Sequence, residues 1–436
     1  MISIISFFVT IFSIFFSKII YKKWLNPLSL YAIIWGGMVF FYGFRLLPLI
    51  DLTTQTWIVI ILSYLSFLLG GVLVYTARDY FNNSNELYKW KKDEIFIFAN
   101  DGKYLNLIIL VLSIIGLIAA IQHWLHLLSE YGSLAEVFVH AQRVYRYRID
   151  DINQGAIPFV WLLSYVAIFL SGIYTAYKKR LTLGALISIL GISLKSLATF
   201  TRGGILFGFL EFIIGFVIFR YILKEVKNYH DSSNAKMIFG SFILVLILVA
   251  TASVVKLSRT GMDSHYKGAG STISKFEGGG VISPSIYFYL TSQIAVLSKY
   301  LDDDHQNNLF AENTLFPVYR FLGKFDLVKK PKFKSKGYYV PTWSNTSTYL
   351  GGLHKDFGYT GIFIGPFLLG IFVTFFWYKV LFEGRLSSVV ILSFLILMIG
   401  MSFFALQLTV IWWTSVLISF FVFSFLKKRY VIFTSI

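Results

Sequence analysis

The chain contains no cysteine, which excludes disulfides, thiol nucleophiles and Cys-ligated metals. Charged residues are also scarce, at 14% of 436, where a soluble domain carries roughly a quarter. So few polar residues cannot coat soluble domains of this combined length, and the soluble-enzyme classes drop out. Acid is short relative to base, 22 Asp and Glu against 39 Lys and Arg, for a formal charge of +17. In a soluble protein that excess would point to nucleic acid. In a membrane protein it must first be sorted by side, because basic loops orient spans. Ile2–Phe16 runs into Lys18 and Lys22–Lys23 with no small-residue cleavage site, so the first segment is expected to stay as a span. No internal repeat is visible, which counts against the two-halved architecture of many transporters.

What the chain has in excess is apolar and aromatic: 56% hydrophobic residues, with 45 Phe, 27 Tyr and 10 Trp, and a mean hydropathy of +0.69. A spanning helix needs about 20 mainly apolar residues. Stretches of that kind lie at 2–20, 27–49, 56–75, 104–127, 156–177, 181–200, 204–223, 237–257, 357–379, 386–405 and 407–426, roughly eleven spans. The last two come from Leu386–Leu426, 41 residues without Asp, Glu, Lys, Arg or His, which must reverse near Gln407. Alternate loops are short and Lys-rich (Lys22–Lys23, Lys89 to Lys92, Lys178–Lys179–Arg180, Lys224 to Lys236, Lys427–Lys428–Arg429). These are expected inside, which places the N-terminus outside and the C-terminus in the cytoplasm. The expected class is all-α and polytopic. Residues 1–257 carry spans one to eight with an Arg-rich outer loop at 128–155, 258–356 form a large outer loop containing helices, and 357–436 carry the last three spans. Long loops cross largely regardless of their charge, so the Lys and Arg of 258–356 fit this topology.

Polar residues that are costly or concentrated in such a chain mark where chemistry can occur. Four places stand out. At the outer end of a pair of spans, Lys195 and Arg202 are seven apart, about two helical turns, with Gly203 and Gly204 leaving the guanidinium uncovered. They either bind an anion or snorkel to lipid phosphates. In the loop 136–148, Arg143, Arg146 and Arg148 alternate with tyrosines, while Val137, Val144 and Ile152 supply apolar positions. That pattern is an amphipathic surface helix holding lipid headgroups or a substrate, and arginine rather than lysine favours bidentate anion recognition.

The third place is the long outer loop, with a helical period over Ser285–Leu301, a basic run from Lys329 to Lys336 that reads as a solvated face or a site, and Asp302-Asp303-Asp304, which could bind a divalent ion. The fourth is the return to the membrane, Pro341 to Gly361, where Asn345, Tyr349, His354, Lys355 and Asp356 precede an apolar span. His354 or Asp356 could serve as general base for a hydroxyl nucleophile; the alternative is a capped polar helix start. Glu211, alone among spans almost free of acid, is either a third base candidate or a buried paired carboxylate.

At this point the chain resembles a family, the Wzy-type polymerases of O-antigen and capsule repeat units. The resemblance is one of layout over nearly the whole chain, together with Thr201-Arg202-Gly203-Gly204 at the start of a middle span and Asp356-Phe357-Gly358-Tyr359-Thr360-Gly361 at the return after a large outer loop. Arg259 and Gly270, eleven apart, match a further spacing seen in some members.

The resemblance implies a GT-C-like glycosyltransferase of the bacterial cytoplasmic (inner) membrane. Its substrate would be an undecaprenyl-diphosphate-linked oligosaccharide, and it would need no metal or other cofactor. Its partners would be membrane lipids, a chain-length regulator and a flippase of the same pathway, with no role for nucleic acid. The growing glycan would pass from lipid diphosphate to the non-reducing-end hydroxyl of a new lipid-linked unit. Arg202 would stabilise the leaving diphosphate, with Lys195, Arg143, Arg146, Arg148 and Arg259 as supporting cations. His354, then Asp356, would take the acceptor proton, and Lys355, Asn345 and Tyr349 would bind glycan or diphosphate. A ligase that transfers glycan to an outer acceptor and a lipid-linked oligosaccharide flippase are the alternatives. The long outer loop and the missing repeat argue against the flippase.

Overall fold

A computed structural model describes residues 2–81, 102–149, 160–201, 203–227, 284–303, 310–329, 337–382, 386–404 and 415–426. Almost all of these residues are helical. Among the described residues six helices are long and apolar enough to cross a membrane: Ile2–Tyr21, Thr54–Arg78, Lys103–Tyr131, Val160–Lys178, Gly203–Tyr221 and Tyr349–Leu381. Four shorter apolar helices, Pro27–Tyr42, Leu183–Ala198, Ser387–Met401 and Ser415–Leu426, fall at other expected spans. The protein is an all-α membrane protein. One departure from the pure helical class is a small antiparallel hairpin, β1 (Tyr338–Tyr339) and β2 (Trp343–Ser344), in the register Tyr338 to Ser344 and Tyr339 to Trp343. The expected span 237–257 lies outside the described residues.

The chain forms two compact units built from non-contiguous stretches. The first comprises Met1–Asn85, Lys267–Tyr378 and Leu395–Val410. It contains α1 (Ile2–Tyr21), α2 (Pro27–Tyr42) and α3 (Thr54–Phe81). Asn26 caps α2 in a reciprocal capping box with Ser29, and Pro27 occupies the first turn, where its missing N–H costs nothing. α2 ends at Tyr42, short of the expected 49, because Gly43 and the turn through Arg45 and Pro48 follow.

Two more helices of this unit belong to the former loop region: α10 (Pro284–Leu301), where the 285–301 periodicity predicts a helix, and the short α11 (Phe316–Leu322). The long α12 (Tyr349–Phe382) bends at Gly358, whose φ of 60° and ψ of −146° break the helix just before the apolar stretch begins. α3 and α12 cross with their backbones almost touching. A Cβ on Gly70 would lie 2.2 Å from the Phe367 carbonyl oxygen, and one on Gly370 would lie 2.2 Å from that of Phe67. In lipid, where apolar surfaces gain little by meeting, such small-residue contacts are what lets helices pack.

The second unit comprises Glu86–Tyr266, Lys379–Phe394 and Ile411–Ile436. Its described helices are α4 (Lys103–Tyr131), α5 (Leu134–Val139), α6 (Ala141–Ile149), α7 (Leu163–Lys178), α8 (Leu183–Ala198) and α9 (Gly203–Lys227). Residues of α13 (Leu386–Met401) divide between the units, and α14 (Ser415–Leu426) belongs to the second. α7 is the centre of this unit, buried from Ser164 to Ala176 and packed against α4, α8 and α9.

Candidate functional site

The candidate residues fall in both units, and each group has its own geometry. In the second unit, the segment after Leu194 and the Arg-bearing segment 136–148 come together. α8 finishes at Ala198, and the chain turns through Thr199 and Phe200. The Thr201 amide donates back to the Ser196 carbonyl at 2.8 Å, the closure of a Schellman cap. The residue in the left-handed position is Phe200, at φ 47°, where glycine is usual. That conformation costs a side-chain-bearing residue about 1 kcal/mol, and complete burial of a Phe ring returns about 2 kcal/mol.

The ring sits in a core formed with Leu127, Val137, Ala141, Val144 and Ala198, flanked by Trp124, Tyr131, Phe138 and Tyr145. Phe138 meets Phe200 edge-on at 5.5 Å. Val137 and Val144 are buried, as an amphipathic reading requires. The predicted single helix is in fact two, α5 and α6, with His140 at the break. The apolar face of the Arg-bearing segment thus packs on protein, against α4 and the α8–α9 turn.

Around this core lie the polar groups. Lys195 Nζ is 2.8 Å from His123 Nδ1 and stands 5.5 Å over the Trp161 ring. A charged Lys195 donates to Nδ1, which puts the imidazole proton on Nε2 and keeps the ring neutral beside the ammonium. Trp124 Nε1 donates to the Leu194 carbonyl at 2.9 Å and fixes α8 against α4 one residue away. The Thr199 and Thr201 hydroxyls are 3.0 Å apart.

Arg143 is exposed. Its Nε donates to the Tyr147 hydroxyl at 2.5 Å, which raises the guanidinium pKa further and keeps it charged. Its terminal nitrogens make no further bond among the described residues. Arg146 and Arg148 lie on α6 with side chains outside the described set, and Arg202 and Arg259 are outside the described residues. Glu211 is fully buried on α9 beside Ser415, inside the unit.

Sequence reasoning missed His123, Trp161 and the packing role of Phe200. His123 had a legible signal: it is the first His, Asp, Glu, Lys or Arg after Lys103 in an apolar span. Trp161 had none, because its ring serves only through a contact 34 positions away in the chain.

In the first unit, Asp356 is an anchor. One carboxylate oxygen accepts from the Asn313 amide at 3.0 Å and from Asn313 Nδ2 at 2.7 Å; the other accepts from the Thr314 amide and hydroxyl, both at 2.7 Å. The charge therefore holds the segment around 313–314 to the start of α12. His354, two residues earlier, is half-buried with its ring edge-on to Tyr359 at 5.5 Å, and Lys355 is half-buried beside it. Asn345 is exposed after β2.

Tyr349 is placed differently from the substrate-facing position expected of it. It is buried, and its hydroxyl is 2.9 Å from that of Tyr31 in an aromatic core with Trp35, whose Nε1 donates to Ser402 Oγ at 3.0 Å. On the hairpin, Tyr339 and Trp343 form an exposed edge-on ring pair at 5.4 Å. Of the acidic run, Asp303 accepts from the Tyr338 hydroxyl at 2.6 Å, and Asp304 is outside the described residues. Among the described residues no group of three or more His, Asp or Glu is positioned to hold a metal ion.

Chemically, the second unit offers a partly buried ammonium, an exposed arginine and paired hydroxyls on a rigid apolar base, a set suited to an anion with several oxygens. The first unit offers an imidazole edge-on to the Tyr359 ring and, on the hairpin, an exposed Tyr339–Trp343 pair followed by the amide of Asn345. Comparison with protein families, with curated proteins and with solved structures finds no match to the chain.

Proposed function

We propose that the protein is a lipid-linked oligosaccharide polymerase of the bacterial cytoplasmic membrane, with about eleven spans, its N-terminus outside and its C-terminus in the cytoplasm. It transfers the growing glycan from polyprenyl diphosphate to the non-reducing-end hydroxyl of a new lipid-linked repeat unit. The observation that carries this reading is the joint packing of the Lys195–Thr201 turn and the Arg143 helix on one apolar core. Cations from two distant stretches of sequence thereby share one end of one unit.

Diphosphate is already a competent leaving group, so what the protein must supply is a fixed cationic cradle for charge that grows as the glycosidic C–O bond breaks. Lys195, oriented by His123 and Trp161, and Arg143, oriented by Tyr147, fill that role, with Arg202 placed by sequence directly after Thr201. Arg146, Arg148 and Arg259 complete the basic set. For the acceptor proton the candidate offered by the sequence is His354. Asp356, with both oxygens committed to residues 313 and 314, serves by holding the outer loop and not by taking a proton. The exposed faces of Tyr339 and Trp343, next to Asn345, suit the flat apolar faces of sugar rings.

The test is a chain-length ladder from cells carrying Arg202→Ala, Lys195→Met or Arg143→Ala at matched protein levels. Loss of long chains, with single repeat units accumulating on lipid, is the expected result. Ladders of full strength in all three variants overturn the cradle assignment. Accumulation of repeat units on the inner leaflet alone would instead identify a flippase.

A further inference from the structure

We infer that residues 310–329 form an amphipathic foot that rests in the membrane–water interface, with lipid as its occupant. α11 shows its apolar side to the outside. Leu315, Val318, Phe321 and Phe325 recur at spacings of three, three and four, one helical face, and all are exposed, Phe321 by 53% and Phe325 by 62%. Phe310 and Leu327 at either end are exposed by 75% and 69%. Among the neighbouring positions Pro317 is buried, and the Tyr319 hydroxyl donates to the Phe310 carbonyl at 2.9 Å, tying the helix to the start of the segment. A face of this kind in water would be a large unpaid apolar patch.

Two observations say what covers it. The patch is continuous with the lipid-facing side of a spanning helix. The Phe310 ring meets Phe357 edge-on at 5.8 Å, and beyond Phe357 the exposed residues of α12 include Tyr359, Phe363, Ile364, Leu368 and Phe372. The charge is also of the right sign for phosphate headgroups. Within 310–329 three cations, Arg320, Lys324 and Lys329, stand against two carboxylates, Glu312 and Asp326. Aromatic rings and basic side chains at headgroup depth are the usual composition of interfacial segments. The four hydrogen bonds of Asp356 fasten this foot to the helix start from which the lipid-facing side descends. The inference stands on the membrane character of the chain and is independent of the glycan chemistry proposed above.

The absence of cysteine makes the test direct, since every introduced thiol is unique. Phe321→Cys and Phe325→Cys are labelled separately with a small fluorophore in the full-length protein and reconstituted in phosphatidylcholine vesicles. Ile364→Cys serves as the deep control and Asp302→Cys as the aqueous control. Quenching is read with iodide in water and with lipids carrying nitroxide at the headgroup, at a shallow acyl position or at a deep one.

At 321 and 325 the headgroup and shallow nitroxides should quench most strongly, with iodide quenching several-fold weaker than at 302. Position 364 should respond best to the deep probe. Iodide quenching at both positions equal to that at 302, with no nitroxide effect, overturns the inference and leaves a solvated surface for a protein partner. Protection from both quenchers overturns it as well, in favour of a contact between copies of the chain. Two independent positions, each checked for an unchanged melting temperature, separate these outcomes from a misfolded variant.

Discussion

Lys195 illustrates how a single residue becomes interpretable only with its neighbours. In sequence it is a cation near a span end, as consistent with snorkelling to lipid as with substrate. In the fold its amine lies 2.8 Å from His123 Nδ1 and over the Trp161 ring, so it has partners within the protein. A fixed charge-assisted contact to diphosphate contributes about 1.5–3 kcal/mol, or about ten- to a hundredfold in rate. Lys195→Met should therefore lower polymer output by that factor in a single-turnover assay. Lys195→Arg should recover part of it. His123→Leu should cost less and act through KM for the lipid-linked donor, because the ammonium remains but loses its acceptor; His123→Gln should restore most of the loss. Equal activity of Lys195→Met and the parent would remove this residue from the cradle. The sequence marks Lys195 as a cation at the end of an apolar span and Arg143 as one of three arginines on an amphipathic segment. Their supporting groups were not legible, because hydrogen bonds across helices leave no trace in local spacing.

At the scale of elements, helix existence was read well and helix ends poorly. Hydropathy marks α1 and α8 to within two residues, while α3 runs six residues past its expected end and α7 begins seven after its expected start; the break at His140 and the bend at Gly358 arise from packing and backbone geometry. The small hairpin 338–344 was missed, since strands of two residues carry no periodicity. The α3–α12 crossing gives a sharp expectation. Gly70→Val or Gly370→Val pushes a side chain into a backbone carbonyl and should cost about 1–3 kcal/mol, seen as a lower melting temperature in detergent. Gly37→Ala, which meets nothing within 4 Å, should be neutral or slightly stabilising.

The outer-loop anchors give two more expectations. Asp356→Asn keeps the shape but loses the charge and half the acceptors, so proteolysis and amide exchange at 310–329 should rise while α3 stays protected. Tyr338 is held neutral, its hydroxyl pKa raised by burial and by the Asp303 carboxylate above the ordinary 10.0. Because the folded value lies above the unfolded one, the stability it contributes is fully present below pH 10.0 and is lost as the pH rises further. Protection of the hairpin amides, taken relative to the intrinsic exchange rate at each pH, should therefore fall only in that alkaline range, and Tyr338→Phe should remove the transition.

At the scale of the whole molecule, composition alone established the membrane class, because 14% charged residues cannot clothe a soluble surface of this size. What composition did not reveal is that the compact units are discontinuous, with α10 to α12 joining α1 to α3 in one of them. Such pairing is decided by contacts between segments far apart in sequence, and local pattern is silent about it. The proposed orientation follows from the Lys-rich loops and is open to direct measurement. In the cysteine-free background, Lys179→Cys should react with a membrane-impermeant maleimide only after the cytoplasmic face is opened, and Ser133→Cys should react in intact spheroplasts. The reverse pattern would invert the topology and remove the cationic cradle from the face where lipid-linked repeat units are presented.

The central proposal is that this chain joins lipid-linked repeat units into polymer. Purified protein in vesicles, supplied with its own lipid-linked repeat unit and no nucleotide sugar, should yield a ladder of glycan lengths on a gel. Polyprenyl diphosphate should be released in step with each added unit. A substrate that stays a single repeat, with an intact and correctly oriented protein, would contradict the account.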